Sequence, residues 1–291
     1  MRLVFEAFAT QDSPLPSVLA EPWQRGFVEP IVGDPAALAQ KLVRCQYVLQ
    51  QLCEPRRVLD YGSGMGFLAC YMSAEGVDVT GVEIASQWRD AERVLAQAFE
   101  TDRATFVETD RDLERGSFDA VTMCNTVSHI AHLSQVFCRV HELLRPGGIV
   151  FIEDNNNRRS LIVKRRQPKV WESADRGYAK VRAKLDPGRE HETYGLGREE
   201  IEHWRDRDLP PISRLREFAP RSPRNGSYDE NWFDPHELEV MLFNTGFAPV
   251  SHRAKYVFDY KTNKPVSAVF RRLPRLSLFV APAFEVTAVK V

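Results

Sequence analysis

The stretch VLDYGSGMG, residues 58–66, combines a short apolar strand with a loop that could bind a ligand. The apolar run ends in Asp60, and glycines follow at Gly62, Gly64 and Gly66. Glycine has no side chain, so a ligand can lie against the bare backbone, and an acidic residue at the strand end can orient the loop. We therefore take the three glycines as candidate ligand-binding residues and Asp60 as the residue that orients them.

Two better-known glycine motifs do not fit this stretch. A phosphate-binding P-loop has the pattern GxxxxGK[ST], and no lysine follows the glycines here. A dinucleotide-binding fingerprint, GxGxxG, needs its third glycine so that helix and strand can pack closely. Counted from Gly62 and Gly64, that position is Phe67, whose bulky ring argues against NAD. The pattern GxGxG favours a ligand that is not held through phosphates.

Short β-branched runs alternate with longer amphipathic stretches in the middle of the chain. The runs that predict strands lie at 56–60, 77–83, 104–108, 118–125 and 148–154. The stretches that predict helices lie at 66–75, 86–99 and 132–145, and a Pro-Gly-Gly cluster ends the last of them. This alternation predicts a parallel sheet with right-handed crossovers and helices on both faces.

The alternation stops after residue 154 and resumes near residue 232. Asp234 and Pro235 are typical of a helix N-cap and first helical residue, and two further strands are predicted at 248–257 and 284–291. The chain is therefore predicted to have four segments. They are an N-terminal helical segment (1–55), an α/β core (56–154), an inserted helical cap that faces the substrate (155–231), and a C-terminal helix and strands that complete the core (232–291).

Composition and charge narrow the class of protein. Of the 291 residues, 43% are hydrophobic, which suits one enlarged α/β domain, and the formal net charge of -1 does not predict a nucleic-acid binder.

The five cysteines are odd in number and form no CxxC pair, so free thiols are expected rather than disulfides or zinc ligands. No apolar run approaches the ~20 residues of a membrane helix, and Glu6 interrupts the start as a signal peptide. We expect a cytoplasmic protein that does not cross a membrane.

The glycine motif also carries a family resemblance. DYGSGMG is similar to the first motif of class I S-adenosylmethionine-dependent methyltransferases. Further matches follow in order: Glu83 at the end of the second strand, then TFVETD, FDAVTMCNTVSHI, LLRPGG and NWFDPHELEVMLFNTGF. The resemblance covers 56–154 and 232–291. It implies a doubly wound, Rossmann-like sheet of seven strands with the last strand antiparallel, and S-adenosylmethionine as the cofactor.

The resemblance also implies roles for residues at the ends of the strands. Glu83 would accept the two ribose hydroxyls of the cofactor, Asp110 would bind the adenine amino group with Arg111 flanking the ring, and Asn125 would lie beside the methionine part. Each has a plainer alternative. Glu83 could be an ordinary surface residue, Asp110 a helix cap, and Asn125 a cap for the turn into Ser128.

The methyl acceptor is predicted to be a small molecule, with a hydroxyl group favoured over an amine. A hydroxyl must lose its proton, and a histidine suits this because its unperturbed pKa is ~6.5. His129, just after the fourth strand, is the candidate base; a hydrogen-bonded histidine at a helix start is the alternative, which also applies to His132. His191, in the predicted cap, could reach over the cleft or be a solvated loop residue.

A metal site is not predicted. Glu153, Asp154 and Asn155 resemble part of the ligand set of metal-assisted catechol-type methyltransferases, but Cys124 and Asn125 stand where those enzymes have an aspartate. The stretch 158–189 is rich in lysine and arginine. It could form a basic rim for an anionic acceptor or a solvated helical face.

The predicted function is methyl transfer from S-adenosylmethionine to a small-molecule acceptor. Two alternatives stay open: a methyltransferase-like binding protein without turnover, and an NAD-dependent oxidoreductase. NADH and S-adenosylhomocysteine would distinguish the oxidoreductase, since the true ligand should raise the melting temperature.

Overall fold

The computed structural model describes most of the predicted core. The described residues are 8, 15–19, 28, 31–85, 88–130, 133–155, 235–255 and 283–291. Apart from Asn155, the predicted cap at 155–231 lies outside them, and so do His132, His191 and the basic stretch 158–189.

Seven strands form one mixed sheet. They are β1 (Arg57–Tyr61), β2 (Asp78–Val82), β3 (Ala104–Val107), β4 (Phe118–Cys124), β5 (Leu144–Asn155), β6 (Phe247–Lys255) and β7 (Ala283–Lys290). Their order across the sheet is β3-β2-β1-β4-β5-β7-β6, and the last strand is antiparallel. The predicted fold class, a seven-stranded Rossmann-like α/β sheet, is confirmed.

The described residues include six α-helices, which follow the predicted pattern with one shift. They are α1 (Leu15–Val18), α2 (Pro35–Gln51), α3 (Phe67–Ala74), α4 (Arg89–Ala98), α5 (Leu133–Leu143) and α6 (Pro235–Asn244). The predicted start of the fifth strand at 148 was too late, because β5 begins at Leu144. The Pro-Gly-Gly cluster therefore lies inside the extended segment, and the helix ends before it.

The chain divides into two compact units. The first comprises residues 1–124, 140–151 and 287–291, and the second comprises residues 125–139 and 152–286. The glycine loop, Glu83 and Asp110 belong to the first unit, whereas Asn125 and His129 belong to the second.

In the first unit, helix α2 packs through one apolar face. The Oδ1 atom of Asp34 accepts hydrogen bonds from the amides of Ala36 and Ala37 at 3.0 and 3.1 Å, and Pro35 fills the first helical position. The buried residues of the helix recur at intervals of three and four: Leu38, Leu42, Cys45 and Val48. The residues between them on the flank of this face, Lys41 and Arg44, are partly exposed.

Strand β1 lies between β2 and β4 and is parallel to both. Its residues Val58 and Leu59 are fully buried, as expected for a central parallel strand. Asp60 is paired in register with Gly81 of β2 and with Thr122 of β4. The register therefore places Asp60 between a glycine of β2 and a hydroxyl-bearing threonine of β4, immediately before the glycine loop.

The C-terminal end of α5 is closed by a lysine from β7. The Nζ atom of Lys290 donates hydrogen bonds to the carbonyl oxygens of His141 and Leu144 at 2.6 and 2.7 Å. The last carbonyls of a helix lack amide donors from a following turn, and a cation complements the negative end of the helix dipole.

In the second unit, α6 begins at Pro235, as predicted, and buries Leu238 and Leu242. Gly246 follows the helix with a φ of 93°, which glycine adopts without strain. In the part of the chain that the structure describes, no helix has the length and apolar character to cross a membrane.

Candidate functional site

Three left-handed glycines shape the loop after β1. Gly62, Gly64 and Gly66 have φ angles of 75°, 54° and 80°. The amides of Gly62 and Ser63 both donate to the carbonyl oxygen of Val82, at 2.8 and 3.1 Å. The loop is thus bound to the end of β2, and its left-handed turns account for the spacing of the glycines.

Glu83, the residue after β2, binds the same loop through its side chain. Its Oε2 atom accepts a hydrogen bond from the amide of Gly64 at 2.9 Å, and its Oε1 atom accepts one from the amide of Ala85 at 2.8 Å. The side chain is half-buried. A carboxylate oxygen has two lone pairs, so one that is bonded to a backbone amide can in general accept a second hydrogen bond.

Two glycines of the loop have different surroundings. A Cβ atom built on Gly64 would meet no heavy atom of the described residues within 4 Å. A Cβ atom built on Gly66 would lie 2.7 Å from Cζ of Phe106, closer than real contacts allow. Gly66 is therefore required by packing inside the protein, and Gly64 borders open space beside the Glu83 carboxylate.

Asp60 is a buried carboxyl at the base of the loop. It is 3% exposed, and its Oδ1 atom accepts a hydrogen bond from the hydroxyl of Thr122 at 2.8 Å. Burial raises the pKa of Asp60 to about 6; the Thr122 hydrogen bond opposes this, the negative charge of Glu83 adds to it, and the Arg44 guanidinium lowers it. The hydrogen bond joins Asp60 to β4, and its role in orienting the loop stays a prediction.

Asp110 lies beside the end of β1. Its Oδ2 atom accepts a hydrogen bond from the hydroxyl of Tyr61 at 3.3 Å, and its side chain is half-buried. The residues after it form a turn rather than a helix, so a helix-cap role has no support here. Arg111 is exposed, and its amide donates to Oγ1 of Thr109 at 3.3 Å.

The other predicted site residues lie in the second unit. Asn125 is exposed and has a φ of 53°, a left-handed conformation that asparagine tolerates better than most residues. Its amide donates to the carbonyl oxygen of Glu153 at 2.7 Å. His129 is the last residue of a short 3-10 helix, Val127–His129, and its side chain is partly exposed. Its backbone amide donates a hydrogen bond to the carbonyl oxygen of Thr126 at 2.9 Å.

Asp154 has a structural contact in this second unit. The residue is completely buried, and its Oδ2 atom accepts a hydrogen bond from the amide of Ser128 at 2.9 Å. The carboxylate thus binds the turn that follows β4. Among the residues that the structure describes, no group of three or more His, Cys, Asp or Glu side chains is placed to hold a metal ion.

The structure adds residues around the loop that the sequence did not reveal. Glu92 of α4 is 5% exposed; burial and the negative charge of Glu83 together raise its pKa to about 7, against the opposing effect of Arg89. Ile84 follows Glu83 and is 72% exposed, which leaves an apolar side chain beside the candidate site. Phe106 packs under the loop. The isolated Gly81 inside β2 was the available signal for this packing, because such a glycine often marks the close approach of another group.

A family model described as a methyltransferase domain matches residues 35–252. The chain is 32% identical over 126 residues to a ubiquinone biosynthesis O-methyltransferase of Alkalilimnicola ehrlichii, a match that covers 41% of this chain and 51% of the relative. It is 33% identical over 118 residues to the ubiquinone biosynthesis O-methyltransferase of Xanthomonas campestris pv. campestris, which covers 39% of this chain and 49% of the relative. The chain thus spans about half the length of these relatives.

Solved structures show the same fold at lower sequence identity. A S-adenosylmethionine-dependent methyltransferase from Methanosarcina mazei superposes with a TM-score of 0.50 and 18% identity, over 84% of this chain and 97% of that one. A complex of the Haloferax volcanii Trm112 methyltransferase activator with a methyltransferase gives a TM-score of 0.53 and 12% identity, over 94% of this chain and 96% of the matched chain. With the family model extending over most of the sequence, the chain belongs to the class I S-adenosylmethionine-dependent methyltransferases, as its motifs predicted.

Proposed function

We propose that the protein transfers a methyl group from S-adenosylmethionine to a hydroxyl group of a small molecule. The observation that carries this proposal is the pairing of Glu83 with the amide of Gly64 next to open space on the loop. This arrangement offers a carboxylate and bare backbone to a ligand on the same side. The relatives named as O-methyltransferases support the choice of an oxygen acceptor.

The first unit supplies most of the proposed cofactor contacts. The ribose hydroxyls would donate to the oxygens of Glu83, which have lone pairs beyond those used by the two backbone amides. Gly62, Gly64 and Gly66, whose backbone is left-handed, would let the cofactor lie against the loop, and Asp60 would orient the loop. These residues fit a ligand that is bound through hydroxyl groups and not through phosphates.

Four further residues complete the proposal. Asp110 would accept from the adenine amino group, with Arg111 beside the ring. Asn125 would lie next to the methionine part, since it follows β4 directly and is exposed. His129 would accept the proton of the acceptor hydroxyl.

The bound cofactor would supply the methyl group on an activated sulfonium. The protein must hold the acceptor oxygen in line with that group and remove the proton as the new carbon–oxygen bond forms. Positioning is expected to provide much of the rate enhancement, since the leaving group needs no further activation.

The proposal is tested by incubating the protein with S-adenosylmethionine carrying a labelled methyl group and a panel of acceptors. The panel should contain phenols, catechols, sugars and amines, and mass spectrometry should locate the label on oxygen. Label found on amines alone would contradict the hydroxyl acceptor. Tight binding of S-adenosylhomocysteine without label transfer to any acceptor, including those in cell extracts, would instead favour a binding protein without turnover.

The role of His129 needs a separate test. His129→Ala should lower kcat by roughly 100-fold, as expected for the loss of a general base, while the affinity for S-adenosylhomocysteine stays within a factor of about two. An unchanged kcat would remove His129 from the mechanism and leave the methyltransferase assignment intact.

A further inference from the structure

The ring of Phe106 lies where two glycines meet. In the parallel pairing of β2 and β3, Gly81 is the register partner of Phe106. A Cβ atom built on Gly81 would lie 2.6 Å from Cδ1 of this ring, and one built on Gly66 would lie 2.7 Å from its Cζ. The ring therefore crosses β2 over Gly81, and its far edge touches the backbone of the loop at Gly66. A side chain at either glycine would occupy the same space as the ring.

Two other side chains support the loop at this place. The Oγ atom of Ser63 would lie 2.8 Å from a Cβ atom on Gly81, and it is buried without a hydrogen-bond partner among the described residues. The loop serine is thus turned toward the protein interior. Cγ of the buried Glu92 would lie 3.3 Å from a Cβ atom on Gly66. The underside of the loop is consequently filled by a ring, an inward-facing hydroxyl and the aliphatic part of a glutamate.

We infer that Phe106 sets the position of the glycine loop and is thereby a positioning residue for the cofactor. An aromatic ring is rigid and has few rotamers, so its far edge fixes the distance between the β2–β3 surface and the loop backbone. Above the ring, the amide of Gly64 is bonded to Glu83, and a shift of the loop would change this contact. The inference rests on the proposed function only in assuming that the ligand of the loop is S-adenosylmethionine.

The test begins with Phe106→Leu, which keeps an apolar residue in β3 but removes the edge of the ring that reaches Gly66. In the unliganded protein, hydrogen exchange of the loop amides 62–66 should accelerate. The affinity for S-adenosylhomocysteine should fall by about tenfold, because a small displacement of a binding group is costly even when its chemistry is unchanged.

A second variant separates positioning from general loss of packing. Gly81→Ala should also weaken binding, because the new methyl group would displace the ring and the Ser63 hydroxyl. In the double variant Gly81→Ala/Phe106→Ala, Cδ1 of the ring, the atom nearest to that methyl group, is absent, which leaves room for the methyl group. We expect its affinity to exceed that of Gly81→Ala, a non-additive recovery that shows the two positions act through one contact.

Val140→Ala is the matched control, since Val140 is fully buried in α5 and its truncation removes packing without touching the loop residues named above. It should lower the melting temperature but leave loop exchange and cofactor affinity at wild-type values. Equal effects of Phe106→Leu and Val140→Ala on loop exchange would overturn the inference, as would unchanged exchange in Phe106→Leu. If the wild-type protein fails to bind S-adenosylhomocysteine while Phe106→Leu still accelerates loop exchange, the proposed function fails and the role of Phe106 in supporting the loop stands.

Discussion

The loop after β1 and the turn after β4 are built in similar ways. Each contains a residue with a left-handed backbone: Gly64 has a φ of 54° and Asn125 a φ of 53°. In each, a carboxylate at or just after the end of a strand accepts a hydrogen bond from a backbone amide. Glu83 accepts one from Gly64, and Asp154 accepts one from Ser128.

The two carboxylates differ in exposure, and this difference distinguishes a residue that can bind a ligand from one with a structural contact. Asp154 is completely buried, and its hydrogen bond to the amide of Ser128 holds the turn together. Glu83 is half-buried and lies beside the open side of Gly64, so it can hold the loop and also receive a ligand. A carboxylate at a strand end is therefore not by itself evidence of a binding site, because the space next to it determines whether a ligand can reach it.

The largest expected effect is at the open side of the loop. Gly64→Asn keeps a backbone that asparagine tolerates but places a side chain where the cofactor is proposed to lie. Calorimetry should show that the binding free energy of S-adenosylhomocysteine weakens by more than about 3 kcal/mol, or over 100-fold. A folded Gly64→Asn protein that binds normally would mean that the ligand lies elsewhere.

The matched control for the backbone is Asn125→Gly. Glycine adopts the φ of 53° at this position freely, so the free energy of unfolding should change by less than about 1 kcal/mol. Circular dichroism of Gly64→Asn and Asn125→Gly then shows whether the protein stays folded when glycine and asparagine are exchanged at a left-handed position.

Next in size is the loss of the buried carboxylate. Asp154→Ala leaves the amide of Ser128 without its acceptor and creates a small cavity, so the free energy of unfolding should fall by about 3 kcal/mol. Urea denaturation measures this loss. An unchanged midpoint would show that the hydrogen bond contributes no net stability. It would contradict the structural role given to Asp154.

Glu83→Ala tests the other carboxylate with the opposite pattern. Two ribose hydroxyls would lose a charged acceptor, so the binding free energy should weaken by about 2 kcal/mol. The unfolding free energy should change less than in Asp154→Ala, because Glu83 is half-buried and water can reach the amide of Gly64. Calorimetry that finds wild-type affinity would remove Glu83 from the site.

The smallest expected effect is a pH dependence from Asp60. Its pKa of about 6 in the folded protein lies above the ~3.9 of an unfolded chain, so the folded state binds the proton more tightly. The resulting stabilisation is complete below pH ~3.9 and is lost as the pH rises through about 6. Between pH 5 and pH 7 the wild type should lose about 1 kcal/mol more stability than Asp60→Asn, measured by urea denaturation at each pH. Parallel curves for the two proteins would contradict the burial of an ionisable group here.

The sequence predicted the elements whose signal is local. The glycine spacing located the loop, and the apolar run before Asp60 located β1, because these features depend on neighbouring residues alone. The different surroundings of Gly64 and Gly66 could not be predicted, since they depend on Phe106, forty residues further along the chain. Likewise, Asp154 resembled a metal ligand in the sequence, whereas its contact with Ser128 arises only when β4 and β5 have folded.

The position of β7 has a consequence for the order of folding. It follows β6 in the chain but lies between β5 and β6 in the sheet, so among the described strands β6 has no neighbour until β7 has inserted. The hydrogen bond from Lys290 to the carbonyl oxygen of Leu144 joins residues 146 positions apart. Contacts of such long sequence separation carry a large loop-closure entropy and form slowly. During synthesis, the end of α5 and the edge strand β6 should therefore remain incompletely paired until β7 has been translated, which makes this half of the sheet the expected target of chaperones and proteases.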